Sequence, residues 1–522
     1  MKATEEDMRL PIGIQDFEKI RKDGYVYVDK TKLMHRLTSS GSYYFLSRPR
    51  RFGKSLLLST IKAYYEGKRE LFRGLYIDSV EDVEWQERPV LYLDLNTSKF
   101  DASEVLQKKL KEALLTWEKK YGEVREDLPL GMRFEAVISA AYKKTGHRVA
   151  ILVDEYDKPM LQAIGSEKLQ DEFRGTLKGF YGALKSMDGC IKFAMLTGVT
   201  KFGKVSVFSD INNLEDISML YDYYDICGIS EEELLRVFPE QIEMLARANG
   251  MTKEECIDKL RRQYDGYHFE ENAPGVYNPF SVLNTLKNRK FGNYWFETGT
   301  PTYLVELLRM HDYNLEHLEN IETDADVLNS IDASSSNPVP VIYQSGYLTI
   351  KGYDEEFRLY KLGYPNAEVK EGFMRFLVPY YTAIDRVSAP FQIQQFVKEV
   401  RSGECESFIL RLKSFFAGTP YEMVKDLENH YQNVLFIICR LLGFYTHAEY
   451  HTSNGRIDLL VESNDYRYVM EFKLDGTAEE ALEQIKSKEY SLPFAMDDKK
   501  TCLVGINFSK EKRNIERYVI EK

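Results

Sequence analysis

The chain has 522 residues, 43% of them hydrophobic, a net charge of −12 and six cysteines, enough material for about three ordinary cores. The longest apolar runs, such as Val434–Cys439, fall far short of the ~20 residues that span a bilayer, and the acidic start MKATEEDMRL is unlike a secretory leader, so no membrane partner and a cytoplasmic location are expected. Scattered cysteines without CxxC or Cys/His spacing exclude a disulfide framework or zinc site, and the acidic balance excludes a broadly basic nucleic-acid binder.

In chain order, residues 10 to 40 read as a turn, a short strand (Tyr25–Val28) and a helix (Thr31–Leu37), placed as an adenine-side lid. A strand over Ser42–Leu46 and a helix over Ser55–Tyr65 flank the loop Arg48, Pro49, Arg50, Arg51, Phe52, Gly53, Lys54, Ser55. Backbone N–H groups and the positive helix end suit a polyphosphate, with Lys54 reaching its β and γ phosphates and Ser55 taking Mg²⁺. The ordinary GxxxxGK[ST] pattern wants glycine where Arg48 stands. A non-glycine residue held at positive φ costs about 1–2 kcal/mol, which charge-assisted contacts of about 1.5–3 kcal/mol each can offset.

Pro89–Leu95 is a near-continuous apolar strand of the kind a parallel sheet buries on both faces, and a long helical region follows over Ser103–Lys144. Val149–Asp157, VAILVDEYD, runs an apolar strand into two carboxylates, Asp154 to hold the Mg²⁺ shell and Glu155 to polarise an attacking water. A third strand, Ile191–Leu196, puts Thr197 at the carboxyl edge where open α/β sheets bind ligands. Thr197 either senses the γ phosphate or caps a helix. Arg174 either neutralises phosphate or lies on a solvated face.

These motifs, from the opening LPIGIQDFEKIRKDGYVYVDKT through RPRRFGKS and LVDEYD to LTGVTKF, resemble the AAA-like ATPase domain of predicted prokaryotic ATPases over residues 9 to 210. Arginine-rich loops of the RPRRFGKS kind are usual in that family, and the resemblance implies ATP binding with hydrolysis. Asn213 to about Leu308 reads as interrupted helix in which YDGYHF (Tyr264–Phe269) and VYNPFSVL (Val276–Leu283) resemble the family's helical lid, their aromatics serving packing sooner than recognition. From Asp324 to Tyr364, a helix, the loop ASSSNP (Ala333–Pro338) and strands over Tyr347–Tyr353 and Phe357–Leu362 suggest a small winged module that reads nucleic acid or braces the ATPase.

From Leu427 the order is helix, three strands (Tyr445–His451, Arg456–Glu462, Tyr466–Leu474), helix (Thr477–Glu489) and strand (Thr501–Asn507). A two-residue turn at Asn464-Asp465 sets Asp458 opposite Glu471, with Cβ atoms roughly 5 Å apart, where the two carboxylates repel unless a divalent metal sits between them. Lys473 shares that face and can orient a hydroxide or steady phosphate charge. GRIDLLVESNDYRYVMEFKL strongly resembles the PD-(D/E)XK nuclease superfamily, over roughly residues 410 to 515 with Gln484 and Tyr490 on the helix ALEQIKSKEY, and implies Mg²⁺-dependent phosphodiester cleavage. Isoleucine at 457 replaces the usual proline. Glu428 adds an acid or is a solvated helix residue. Residues 401–522 carry 17 Lys/Arg against 20 Asp/Glu, so backbone neutralisation of DNA would rest on clustering of Lys486, Lys488, Lys510, Lys512 and Arg513.

The expected architecture is α/β: a P-loop NTPase parallel sheet (1–210), a helical lid and winged-helix-like region (211–375), and a restriction-endonuclease-like α/β domain (376–522). The expected function is a Mg²⁺-dependent ATPase controlling a nuclease, with ATP and Mg²⁺ as cofactors, nucleic acid (DNA favoured) as partner and a homo-oligomer as a possible assembly. The alternative is an ATP-driven switch or scaffold whose nuclease-like domain only binds a nucleic acid or protein.

Overall fold

The structure is a computed structural model that describes the chain outside residues 1–7, 81–82, 84, 202–206, 209–210, 212, 298–303, 306, 309–310, 320, 330–336, 383, 386, 418–426, 444–446, 454–455, 475 and 489–497, and outside the side chains of 297, 447–453 and 456–458. It divides into two compact units, Met1–Thr298 with Ile321–Glu368, and Gly299–Asn320 with Val369–Lys522. No described helix is long and apolar enough to cross a membrane.

The first unit is built on five parallel strands, β1 (Tyr43–Ser47), β2 (Val90–Asp94), β3 (Val149–Asp154), β4 (Ile191–Gly198) and the two-residue β5 (Glu215–Asp216), in the spatial order β2-β3-β4-β1-β5. β1 and β3 are buried at every residue, while β2 alternates buried and half-buried positions as an edge strand should. β4 lies between β1 and β3, so the ends of three consecutive strands in space carry the arginine-rich loop, Thr197 and the Asp154-Glu155 pair. That edge is where a parallel sheet collects ligands.

Two expectations are corrected here. The helical stretch over 103–144 is two helices, Ser103–Tyr121 and Leu130–Thr145, broken by Gly122 and Pro129, and clasped by a buried fork in which Arg133 Nε and Nη2 donate to Glu118 at 2.9 and 2.7 Å. The strand expected over Tyr25–Val28 is one isolated bridge, Arg9 with Tyr25. Val26 and Val28 instead pack with Leu10 and Ile12 against the core of the helical region, around Leu234, Ile242, Leu260 and Val282. Helices Glu231–Val237 and Lys253–Tyr264 each open with a full capping box, Ser230 with Glu233 and Thr252 with Glu255.

The unit is completed by an antiparallel sheet of β6 (Ile321–Thr323), β7 (Thr349–Asp354) and β8 (Leu359–Gly363), in the order β6-β8-β7. Residues 333–336 of the ASSSNP loop lie outside the described residues.

The second unit carries a mixed sheet of β9 (His447–Ser453), β10 (Arg456–Glu462), β11 (Tyr466–Leu474), β12 (Lys500–Ser509) and β13 (Asn514–Glu521), in reverse sequence order. β11 and β12 are parallel, which requires a crossover, and the helix Ala478–Ser487 supplies it. One face of the sheet packs Val469, Leu460, Leu503 and Val519 on Leu482 and Ile485 of that helix. The other stacks Phe472 on Phe508, and Phe508 on Tyr431 of the helix Leu427–Leu442. Gly505 makes the first packing possible, because a Cβ there would fall 2.0 Å from the Ala478 carbonyl oxygen.

Candidate functional site

At the carboxyl edge of the first sheet, the loop leaving β1 turns into the helix Lys54–Tyr65 through Gly53 in the left-handed region, φ 99°. The cost of the missing glycine does not fall where the pattern suggests. Arg51 carries the positive φ, 68°, at about 1–2 kcal/mol, while Arg48 does not.

Arg48 points inward. Only 1% exposed, its Nη1 donates to the carbonyls of Ser47 (3.0 Å) and Ser218 (2.7 Å), its Nη2 donates to Tyr223 O (3.1 Å), and its guanidinium lies 3.9 Å from the centre of the Phe269 ring. Burial lowers its pKa to about 10, so it stays charged at neutral pH. The other arginines of the loop are also seated on downstream rings, Arg50 over Trp295 with a bond to the Tyr347 hydroxyl, and Arg51 over Phe280. Phe52 meets Tyr267 and Phe269 edge to face, and Pro49 abuts Gly346. Packing is therefore what the aromatics Tyr267 and Phe269 do in this unit.

With its arginine side chains occupied, the loop offers an anion its backbone, Lys54 and Ser55. Lys54, 3% exposed, donates to the carbonyls of Arg48 (3.0 Å) and Pro49 (3.3 Å) and stands 3.2 Å from Glu155 Oε1. Glu155 sits at φ 53° just past β3. Burial pushes its pKa up to about 7; Lys54 opposes the rise, and Asp157 and Asp154 add to it. Asp154 is buried, and its Oδ1 accepts the Thr197 hydroxyl at 2.7 Å. Thr197 therefore orients an acid rather than capping a helix. Arg174 pairs with Asp171 on its own helix.

Among the described residues there is no group of three or more His, Cys, Asp or Glu able to hold a metal. Mg²⁺ beside a nucleotide takes one or two protein oxygens and completes its octahedron with phosphate and water; at this edge the Ser55 side chain is half-buried and the Asp154 carboxylate buried.

In the second unit, the β10–β11 hairpin has the register the turn implies: Asp458 pairs with Glu471, and Ser463 N–H donates to Tyr466 O at 2.8 Å across Asn464-Asp465. The Asp458 side chain lies outside the described atoms, as does Tyr490. Glu471 is fully buried, with Lys473 Nζ 3.4 Å from its Oε1. Lys473 also donates to Gln484 Oε1 on the crossover helix, joining strand and helix at one point. Asn507, which the sequence reading passed over, is the register partner of Lys473 on β12 and donates to Glu516 Oε2 at 3.3 Å. Glu428 is half-buried in the first turn of Leu427–Leu442, whose ring contacts lie on the opposite face from Glu471. Of the surface lysines, Lys486 pairs with Glu521 and Lys512 with Glu516.

Comparison with known proteins matches both halves. Residues 11–208 fit the family model described as "Predicted AAA-ATPase", and residues 426–518 fit that of the PD-(D/E)XK nuclease superfamily. The chain is also 36% identical over 525 residues to the "Uncharacterized protein in vnfD 5'region" of Azotobacter chroococcum mcd 1, an alignment covering 98% of this chain and 99% of that one.

Proposed function

We propose that this chain, which belongs to the family of that Azotobacter protein and combines an AAA-ATPase-like domain with a PD-(D/E)XK nuclease superfamily domain, is a Mg²⁺-dependent ATPase that controls a nucleic-acid-cutting centre. One repeated observation carries the reading: each sheet brings its own lysine against its own buried or half-buried acid, Lys54 at 3.2 Å from Glu155 and Lys473 at 3.4 Å from Glu471.

At the first centre, the loop backbone and Lys54 bind and orient the phosphates, Ser55 and Asp154 hold the cation, and Thr197 keeps the Asp154 carboxylate aimed. Glu155 accepts a proton from the attacking water, a role that suits a carboxyl titrating near neutrality. At the second, Asp458 and Glu471 hold the cation, and Lys473, steadied by Gln484, orients the attacking oxygen. The bound cation supplies charge neutralisation and a more acidic water at both centres. A second reading, in which the nuclease-like domain binds a protein or a nucleic acid without cutting, is favoured by one observation: the pairing of Lys486 and Lys512 with glutamates reduces the free basic surface.

Phosphate release with Mg²⁺ tests the first centre. Lys54→Ala is expected to weaken nucleotide binding about 100-fold through loss of a charge-assisted contact, and Glu155→Gln to keep binding but lose about 10²–10⁴ in turnover. Equal turnover by the wild type and Glu155→Gln overturns the assignment of Glu155.

A further inference from the structure

One carboxylate at the nucleotide edge has no part in this scheme. Asp157, three residues beyond Asp154, is 0% exposed. Its Oδ1 accepts the Val199 N–H at 3.2 Å, and its Oδ2 accepts the Thr200 N–H at 2.6 Å and the Thr200 hydroxyl at 2.7 Å. All three donors belong to the turn that closes β4. An apolar side chain in that place would strand them without acceptors.

The strand end that leads into the turn is held from both sides. Tyr156 N–H donates to Thr197 O at 2.9 Å and Arg48 N–H to Gly198 O at 3.1 Å, so the segment after β3, the end of β4 and the first residue of the phosphate loop are one hydrogen-bonded unit. Gly198 leaves room for it, since a Cβ there would meet Asp157 Oδ1 at 2.5 Å and the Tyr156 ring at 2.8 Å. Inside this unit the Thr197 hydroxyl reaches Asp154 Oδ1.

We propose that Asp157 is a positioning residue for the ATP hydrolysis read above: by fixing the β4 turn it sets the Thr197 hydroxyl that aims Asp154 and the backbone from which the phosphate loop departs. The inference rests on the ATPase reading and goes beyond it in giving the third acid of the VDEYD run a role in metal-dependent turnover. Displacing an aligned group by an ångström costs on the order of 10²-fold in rate, and removing a partner that orients a metal-binding carboxylate costs about 10–100-fold in metal affinity.

The test uses the full chain carrying Asp157→Asn or, as a milder change that keeps the carboxylate, Thr200→Val. Three quantities are read: turnover with ATP, its Mg²⁺ dependence, and affinity for a fluorescent non-hydrolysable ATP analogue in EDTA and in Mg²⁺. The expected result for Asp157→Asn is a fall in kcat of about 100-fold, a rise of about tenfold in the Mg²⁺ needed for half-maximal turnover, and analogue affinity in EDTA equal to wild type. Thr200→Val moves kcat and Mg²⁺ demand the same way by less. Unchanged kcat in both variants overturns the proposal, as does a parallel loss of kcat, EDTA-state affinity and thermal stability in both, which would make Asp157 a brace of the fold. A wild type that binds the analogue without hydrolysing ATP would sink the ATPase reading instead. The Mg²⁺-dependent gain in analogue affinity then decides for Asp157: lost in Asp157→Asn it supports the positioning role, and retained it overturns it.

Discussion

Arg48→Gly, the change that restores the glycine of the ordinary phosphate loop, is expected to destabilise the chain by about 3 kcal/mol. The guanidinium is buried, donates to three backbone carbonyls from Ser47, Ser218 and Tyr223, and covers the Phe269 ring. Each charged hydrogen bond is worth about 1.5–3 kcal/mol and a desolvated cation over an aromatic face about 2 kcal/mol; the total is discounted because water will enter the space and re-solvate part of what is lost. Glycine recovers nothing in exchange, because the left-handed residue of the loop is Arg51, not residue 48. Arg48→Lys should fall between the two, since one ammonium cannot fork to Ser218 and Tyr223 as the planar group does. Thermal and urea denaturation read the effect. A melting temperature that holds or rises in Arg48→Gly would show the buried contacts to be dispensable.

Glu471→Ala is expected to abolish nucleic-acid cleavage, by about 10³-fold or more, while leaving ATP hydrolysis within about twofold of wild type, because Lys54, Ser55, Asp154 and Glu155 all belong to the first unit and Glu471 to the second. Glu471 is fully buried on the face of β11 that the crossover helix covers, and its register partner is Asp458. Asp458→Ala should match it. Gln484→Ala, which frees the Lys473 ammonium without removing it, should cost less, about 10–100-fold. The ordering Glu471 ≈ Asp458 > Gln484 is what a cation held across the hairpin and steadied from the helix requires. Equal, small effects at all three positions would identify this face as a binding surface only.

The sequence was most legible where one physical constraint acted alone. Strands buried on both faces must be apolar throughout, so β1, β3 and β4 stand out in YYFLS, VAILVD and IKFAMLTG. A two-residue turn leaves one register, so the opposition of Asp458 and Glu471 followed from Asn464-Asp465 by counting. Legibility failed where the deciding partner is far along the chain. Arg48 stands in a phosphate-loop pattern, but its acceptors at Ser218 and Tyr223 lie 170 and 175 residues away. Nothing local says that Arg50 and Arg51 will sit on Trp295 and Phe280. Val26 and Val28 have strand character without a strand to pair with, and a helical core claims them. β13 was missed because NIERYVIE is an edge strand whose charged positions hide its alternation. Asp157 went unremarked because the pattern of VDEYD draws attention to its first two acids, while the partners of the third lie beyond the end of another strand.

Control of cutting at Asp458 and Glu471 by nucleotide at Lys54 is read out by incubating the wild type, Lys54→Ala and Asp458→Ala with Mg²⁺, with and without ATP, on single- and double-stranded DNA and RNA. The account predicts cleavage by the wild type that changes about tenfold or more with ATP, a rate indifferent to ATP in Lys54→Ala, and none in Asp458→Ala. Cleavage that survives in Asp458→Ala, or that ignores ATP in the wild type, would contradict it.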